Sequence, residues 1–113
     1  MGLRSRNKGK RGEREAAAEI RRIFRTEASR GRQFAGSDDS PDIRTAIPKV
    51  HFEVKRVEAF RLYDALAQAV GDAGANTPVV LHKQNRQPWV AIVRLEDLPT
   101  LATQIYLALL ANS

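Results

Sequence analysis

Four side chains have types and spacings that suit joint chemistry: Glu13, Asp42, Glu53 and Lys55. Glu53 and Lys55 lie in the stretch 49–56, where Val50, Phe52 and Val54 alternate with His51, Glu53 and Lys55. That alternation predicts a half-buried strand. Residues two apart on a strand project from one face, about 6–7 Å from each other. Asp42 follows Pro41, eleven residues before Glu53, so a short hairpin would set the two carboxylates on adjacent strands. Glu13 heads a stripe with Ala17, Ile20 and Phe24 at helical spacing and points inward with them. An inward carboxylate needs a partner, because burying an unpaired charge is costly. Convergent carboxylates are hard oxygen ligands for a divalent cation such as Mg²⁺, with Mn²⁺ expected to substitute. Such a site supplies what phosphodiester hydrolysis requires: an activated water and neutralisation of the charge growing on the phosphate oxygens. Asp42 and Glu53 are then the candidate metal ligands, with the backbone carbonyl of Val54 as a further one. Glu13 completes the site directly or through water. Lys55 orients or helps deprotonate the attacking water, or stabilises the phosphate.

Taken singly, each of these residues has an ordinary explanation. A glutamate in the first turn of a helix complements the helix dipole. A Glu/Lys pair on a strand is commonly solvated surface. Pro-Asp is a common turn dipeptide, and Asp38 and Asp39 compete for any role given to Asp42. The combination carries the chemistry, so the elements that would position it matter.

Residues 1–12 are basic and almost free of apolar side chains, which predicts a flexible arm ahead of one domain spanning 13–113. A helix is expected over residues 13–27, and short strands over 30–35 and 42–45, with a loop between them rich in Gly, Ser and Asp. The strand over 49–56 follows. A helix over 58–73 stops at Gly74. Apolar strands are expected over 78–82 and 89–95, joined by a polar hairpin loop. The last helix, over 98–111, is strongly apolar. The order α-β-β-β-α-β-β-α predicts an α/β fold: a central mixed sheet of about five strands flanked by helices.

Bulk composition narrows the partners. The net charge of +6 favours a polyanion, since each phosphate neutralised releases counterions. Arg4, Arg6, Lys8, Lys10 and Arg11 in the arm, with Arg30, Arg32, Arg56, Lys83 and Arg86, are the candidate phosphate contacts. There is no cysteine, which excludes disulfides and thiolate metal sites and points to a reducing, cytoplasmic setting. No apolar run is long enough to span a membrane, so no membrane partner is expected. His51 and His82 are two isolated histidines, for each of which a satisfied structural role is expected rather than a zinc site, although His51 shares the face of the strand acids and stays open as a nearby accessory group. Phe52 and Trp89 are expected to fill core or interface. Leu98, Leu101, Ile105, Tyr106, Leu109 and Leu110 of the last helix are expected to cover the core or to form a dimer surface.

Pro41-Asp42 followed by Glu53-Val54-Lys55, with Glu13 on the preceding helix, resembles the PD-(D/E)XK nuclease superfamily. Within it the chain is similar to the archaeal-type Holliday junction resolvases. Lys8-Gly9 through Glu13-Arg14-Glu15 resembles their N-terminal pattern. Ala35-Gly36-Ser37 resembles the loop before their metal-binding aspartate, and His51 to Lys55 resembles their catalytic strand. The likeness covers roughly residues 8–98.

The resemblance implies a restriction-endonuclease-like core. It also implies a homodimer that cuts two opposed strands of a four-way DNA junction with Mg²⁺. Glu13, Asp42, Glu53 and Lys55 would be the active-site residues, and Ser37 would approach the scissile strand. Some nucleases of the superfamily also use a glutamine near the metal, a position that Gln68 would fill beside its plainer reading as a surface residue. Pro48, Asp38 and Asp39 depart from the pattern and bear on the DNA contacts of the loop. Two other readings stay open at this point. One is a repair or phage DNA-processing nuclease of the same superfamily with nicking, flap or restriction-like activity. The other is a DNA-binding module without catalysis.

Overall fold

The computed structural model describes residues 2–31 and 41–112, residues 2–8 by their backbone alone. Helix α1 spans Gly2–Phe24 and is followed by strands β1 (Ala28–Arg30), β2 (Ile43–Thr45) and β3 (Val50–Lys55). Helix α2 (Leu62–Ala73) leads to β4 (Thr77–His82) and β5 (Val90–Ile92), then a single 3₁₀ turn and α3 (Leu98–Ala111). The element order is the one expected from the sequence, and the sheet is mixed and five-stranded in the order β1-β2-β3-β4-β5.

Chain connectivity sets the strand directions. Short links make β2–β3 and β4–β5 antiparallel, and β1–β2 is antiparallel as well. Parallel strands need a long crossover, and α2 provides it between β3 and β4, which run from Val50↔Thr77 to Lys55↔His82.

The alternation in β3 and β4 divides the core into two layers. Phe52, Val79 and Leu81 join Ala16, Ala17 and Ile20 of α1 and Leu101 and Ala108 of α3. On the opposite face Val80 packs with Ala65 and Ala69 of α2, flanked by Phe60, Leu66 and Ile92. Small side chains on both helices let their backbones approach the sheet closely. A fully buried valine such as Val80 contributes on the order of 1.5–3 kcal/mol.

Two expectations change. The basic segment 1–12 is not a coil arm: α1 continues through it from Gly2. Lys and Arg are good helix formers, and the packed turns at Ala16, Ala17 and Ile20 already supply the costly nucleus, so extension adds a hydrogen bond per residue. At the other end α1 stops at Phe24 rather than at residue 27, because Arg25 takes a positive φ of 51° and turns the chain into β1. Strand β1 accordingly lies earlier than residues 30–35. Arg32, Ser37, Asp38 and Asp39 lie outside the described residues. Gly74 ends α2 as expected, with φ 58°.

Candidate functional site

The antiparallel register that pairs Ile43 with Phe52 sets Asp42 beside Glu53, on the sheet face opposite Phe52. Backbone bonds hold Asp42 on two sides. Its amide donates to the Phe52 carbonyl at 2.9 Å, and its carbonyl accepts the Gly31 amide at 2.8 Å. Its carboxylate Oδ2 accepts the Val54 amide at 2.8 Å, so Val54 orients the acid through its main chain.

Glu53 is 3% exposed. Its Oε1 lies 2.8 Å from His51 Nε2. Both face α2, where Asp72 enters: ligand atoms of His51, Glu53 and Asp72 all lie within 4.8 Å of one another. Further along the same face Lys55 donates from Nζ to Gln68 Oε1 at 3.0 Å. An open groove of about 560 Å³ runs past Lys55 and Gln68 to Phe60, Arg61 and Asp64.

Burial, helped by the nearby charges of Glu53 and Glu13, pushes the Asp42 carboxyl up to about 7, against the opposing pull of the Val54 amide. For Glu53 burial also acts upward, but hydrogen bonds from His51 and from the Asp42 carboxyl outweigh it and hold the acid below its usual range. Of the two crowded carboxylates, Asp42 therefore takes up a proton in preference to Glu53. A divalent cation is the natural replacement for that proton, and hard oxygen donors suit Mg²⁺ or Mn²⁺.

Stability of the cation-free protein should therefore depend on pH. Asp42 has a folded pKa of about 7, above its ordinary 3.8. The folded state thus binds the proton more tightly. The stability this contributes is complete below the unfolded pKa and is lost as pH rises through the folded one. Calorimetry without divalent ions should show the melting temperature falling between about pH 4 and about pH 7 and levelling off above. Saturating Mg²⁺ should oppose the fall, since it binds the ionised pair. A melting temperature indifferent to pH in this window would contradict the arrangement.

The remaining expected residues distribute unevenly. Glu13 contributes to the charge felt by Asp42, while its own Oε1 accepts Arg30 Nε at 2.6 Å. Arg30 is thus engaged in an ion pair rather than presented freely to a phosphate. Arg56 is likewise tied down. It bonds Glu15 and Glu58, both at 3.4 Å, Asn85 at 2.8 Å and the Lys83 carbonyl at 3.3 Å. In that place it clamps α1, the β3–α2 link and the β4–β5 loop together. Lys83 follows directly on the sheet, its amide donating to the Lys55 carbonyl at 3.4 Å. Arg86 is exposed at the tip of the same loop, and Lys10 and Arg11 are exposed on α1. The side chains of Arg4, Arg6 and Lys8 are outside the description.

One participant escaped the sequence reading, Asp72, while His51, open there as an accessory group beside the strand acids, is the partner of Glu53. A signal for Asp72 existed. Ala65, Gln68, Ala69, Asp72 and Ala73 fall at helical spacing on one stripe, and Ala65, Ala69 and Ala73 are buried. Gln68 and Asp72 flank that inward stripe, which is why Gln68 reaches Lys55 and Asp72 reaches His51 and Glu53 on β3.

The sequence matches no protein-family model and no curated protein. In structure the chain is similar to Archaeoglobus fulgidus Hjc, a Holliday junction resolvase from an archaeal hyperthermophile. The identity is 27% and the TM-score 0.56, over 76% of this chain and 72% of that one. The chain thus has the α/β fold of that resolvase, with a mixed five-stranded sheet between helices.

Proposed function

We propose that this chain is a divalent-metal-dependent endodeoxyribonuclease of the junction-resolvase type, hydrolysing phosphodiester bonds in branched DNA. One observation carries the reading: Asp42 and Glu53 crowd together on one sheet face, and Lys55, two residues along the strand from Glu53, lines an open groove. The similarity to Archaeoglobus fulgidus Hjc supports the substrate class.

Asp42 and Glu53 would hold the cation, with the Val54 carbonyl as a further ligand and Glu13 behind them. When bound, the cation lowers the pKa of a coordinated water and neutralises charge on the phosphate. The protein's own groups do the rest. Val54 fixes the Asp42 carboxylate, and His51 fixes Glu53. Lys55, steadied by Gln68 at 3.0 Å, places a cationic amine where charge develops on the phosphate oxygens. Lys10, Arg11, Lys83 and Arg86 extend the positive surface along the DNA backbone. A symmetric dimer suits two opposed incisions, and the exposed Tyr106, Leu107, Leu109 and Leu110 of α3 offer apolar surface for it.

The test presents end-labelled four-way junction, flap and plain duplex side by side with Mg²⁺. Paired symmetric nicks in the junction, absent from the duplex and absent with EDTA, are the expected result. Cleavage confined to flap or duplex would reassign the substrate, and DNA binding without any cleavage would reduce the chain to a binding module.

A further inference from the structure

We propose that His51, Glu53 and Asp72 form a second cation site, adjoining the Asp42–Glu53 pair through the shared Glu53 and selective for ions that accept an imidazole nitrogen, Zn²⁺ and Co²⁺ above Mg²⁺. The inference concerns binding and stands whether or not the chain cleaves DNA.

The donor set is one nitrogen and two carboxylates, drawn from alternate residues of β3 and from the facing stripe of α2. Their ligand atoms lie within 4.8 Å of one another. Four-coordinate zinc at bond lengths near 2.1 Å keeps its ligand atoms about 3.4 Å apart, so an ion fits between them with small side-chain adjustments. His51 and Glu53 are buried, while Asp72 is half-buried and leaves an approach from solvent. Three protein ligands with a fourth position open to water is a common zinc arrangement.

The imidazole makes this site chemically different from the acid pair. Mg²⁺ prefers oxygen donors, whereas imidazole suits Zn²⁺ and neighbouring transition ions. Binding replaces the hydrogen bonds from His51 and Asp72 to Glu53 with three metal bonds; the ring presents an unprotonated nitrogen, and the proton held between the two carboxyls is released to solvent. Glu53 has two oxygens and can serve both sites. His82, the chain's other histidine, is stacked on Phe60 with a centroid separation of 3.8 Å. Its Nε2 lies 3.0 Å from the Val57 carbonyl, so it has no part in the site.

The test is a long-range ¹H–¹⁵N spectrum of the full-length, ¹⁵N-labelled protein during titration with Zn²⁺, and in parallel with Mg²⁺. With two histidines the ring signals are readily assigned. Zn²⁺ should shift a His51 ring nitrogen as direct coordination does and leave those of His82 in place, whereas Mg²⁺, which reaches His51 only through its hydrogen-bond partner Glu53, should produce a far smaller change and no coordination shift. Asp72→Asn, a conservative change at a half-buried position, should weaken Zn²⁺ binding by at least about tenfold. Asp42→Asn should keep Zn²⁺ on His51, which separates this site from the proposed catalytic one. A His51 ring that ignores Zn²⁺, or Asp72→Asn with wild-type affinity, would overturn the proposal and leave His51 as the hydrogen-bond partner of Glu53. Loss of the His51 shift in Asp42→Asn would also overturn it, by merging the two sites into one.

Discussion

Replacing Asp42 with Asn is expected to lower Mg²⁺-dependent cleavage of branched DNA by roughly 10²- to 10³-fold while DNA affinity is kept or rises. Asn is nearly the same shape and retains an oxygen to accept the Val54 amide, a bond of 2.8 Å. The β2–β3 register should therefore survive. What is removed is the charge that, beside Glu53, calls for a cation. The carboxyl that burial holds near 7 disappears as well, so the variant should be no less stable than the parent near neutral pH, and the pH dependence of its melting temperature should flatten. Asp42→Ala is the poorer test, because an orphaned buried amide costs about 1–3 kcal/mol. Single-turnover cleavage and gel-shift affinity, measured on one preparation, check the prediction together. Wild-type cleavage by Asp42→Asn would remove this residue from the site. Weakened DNA binding would contradict the view that its charge repels phosphate.

The second large effect is conformational. Gly31→Ala should cost about 3 kcal/mol and lower the melting temperature by roughly 10 °C or more. A Cβ at this position would clash with the Pro41 carbonyl oxygen and stand 3.3 Å from its carbon. Those atoms are backbone, so no side chain can swing aside. The two chain segments must part, and the bond from the Gly31 amide to the Asp42 carbonyl, 2.8 Å long, must lengthen with them. Asp42 would then move relative to Glu53. Even a displacement near 1 Å can cost about 10²-fold in rate. Thermal melts with and without Mg²⁺, followed by cleavage assays well below the melting point, separate lost stability from lost geometry. A variant with parental stability would show that the close approach of residues 31 and 41 is not a feature of the folded protein.

Much of the arrangement was legible because it follows from short-range rules. The alternation from Val50 to Lys55 predicts a strand whose acids share a face. The eleven-residue spacing from Asp42 to Glu53 predicts a hairpin that sets them side by side. Gly74 marks the end of α2, and the apolar run over 98–111 matches α3. What was not legible depends on tertiary packing. The polarity of residues 1–12 resembles that of a tail, yet the adjoining packed helix carries the segment as a continuation. Arg30 and Arg56 look like any other basic side chain, and only the fold reveals their partners in Glu13, Glu15 and Glu58. His51 looks isolated until α2 brings Asp72 over it. That juxtaposition needs the phase of one helix and the register of one strand at once.

The most direct measurement is an anomalous difference map from crystals of the protein soaked in Mn²⁺. A peak bonded to a carboxylate oxygen of both Asp42 and Glu53, about 2.2 Å from each, is the predicted result. A map without a peak between those two residues, in crystals whose Asp42 and Glu53 are ordered and ionised, would contradict the account.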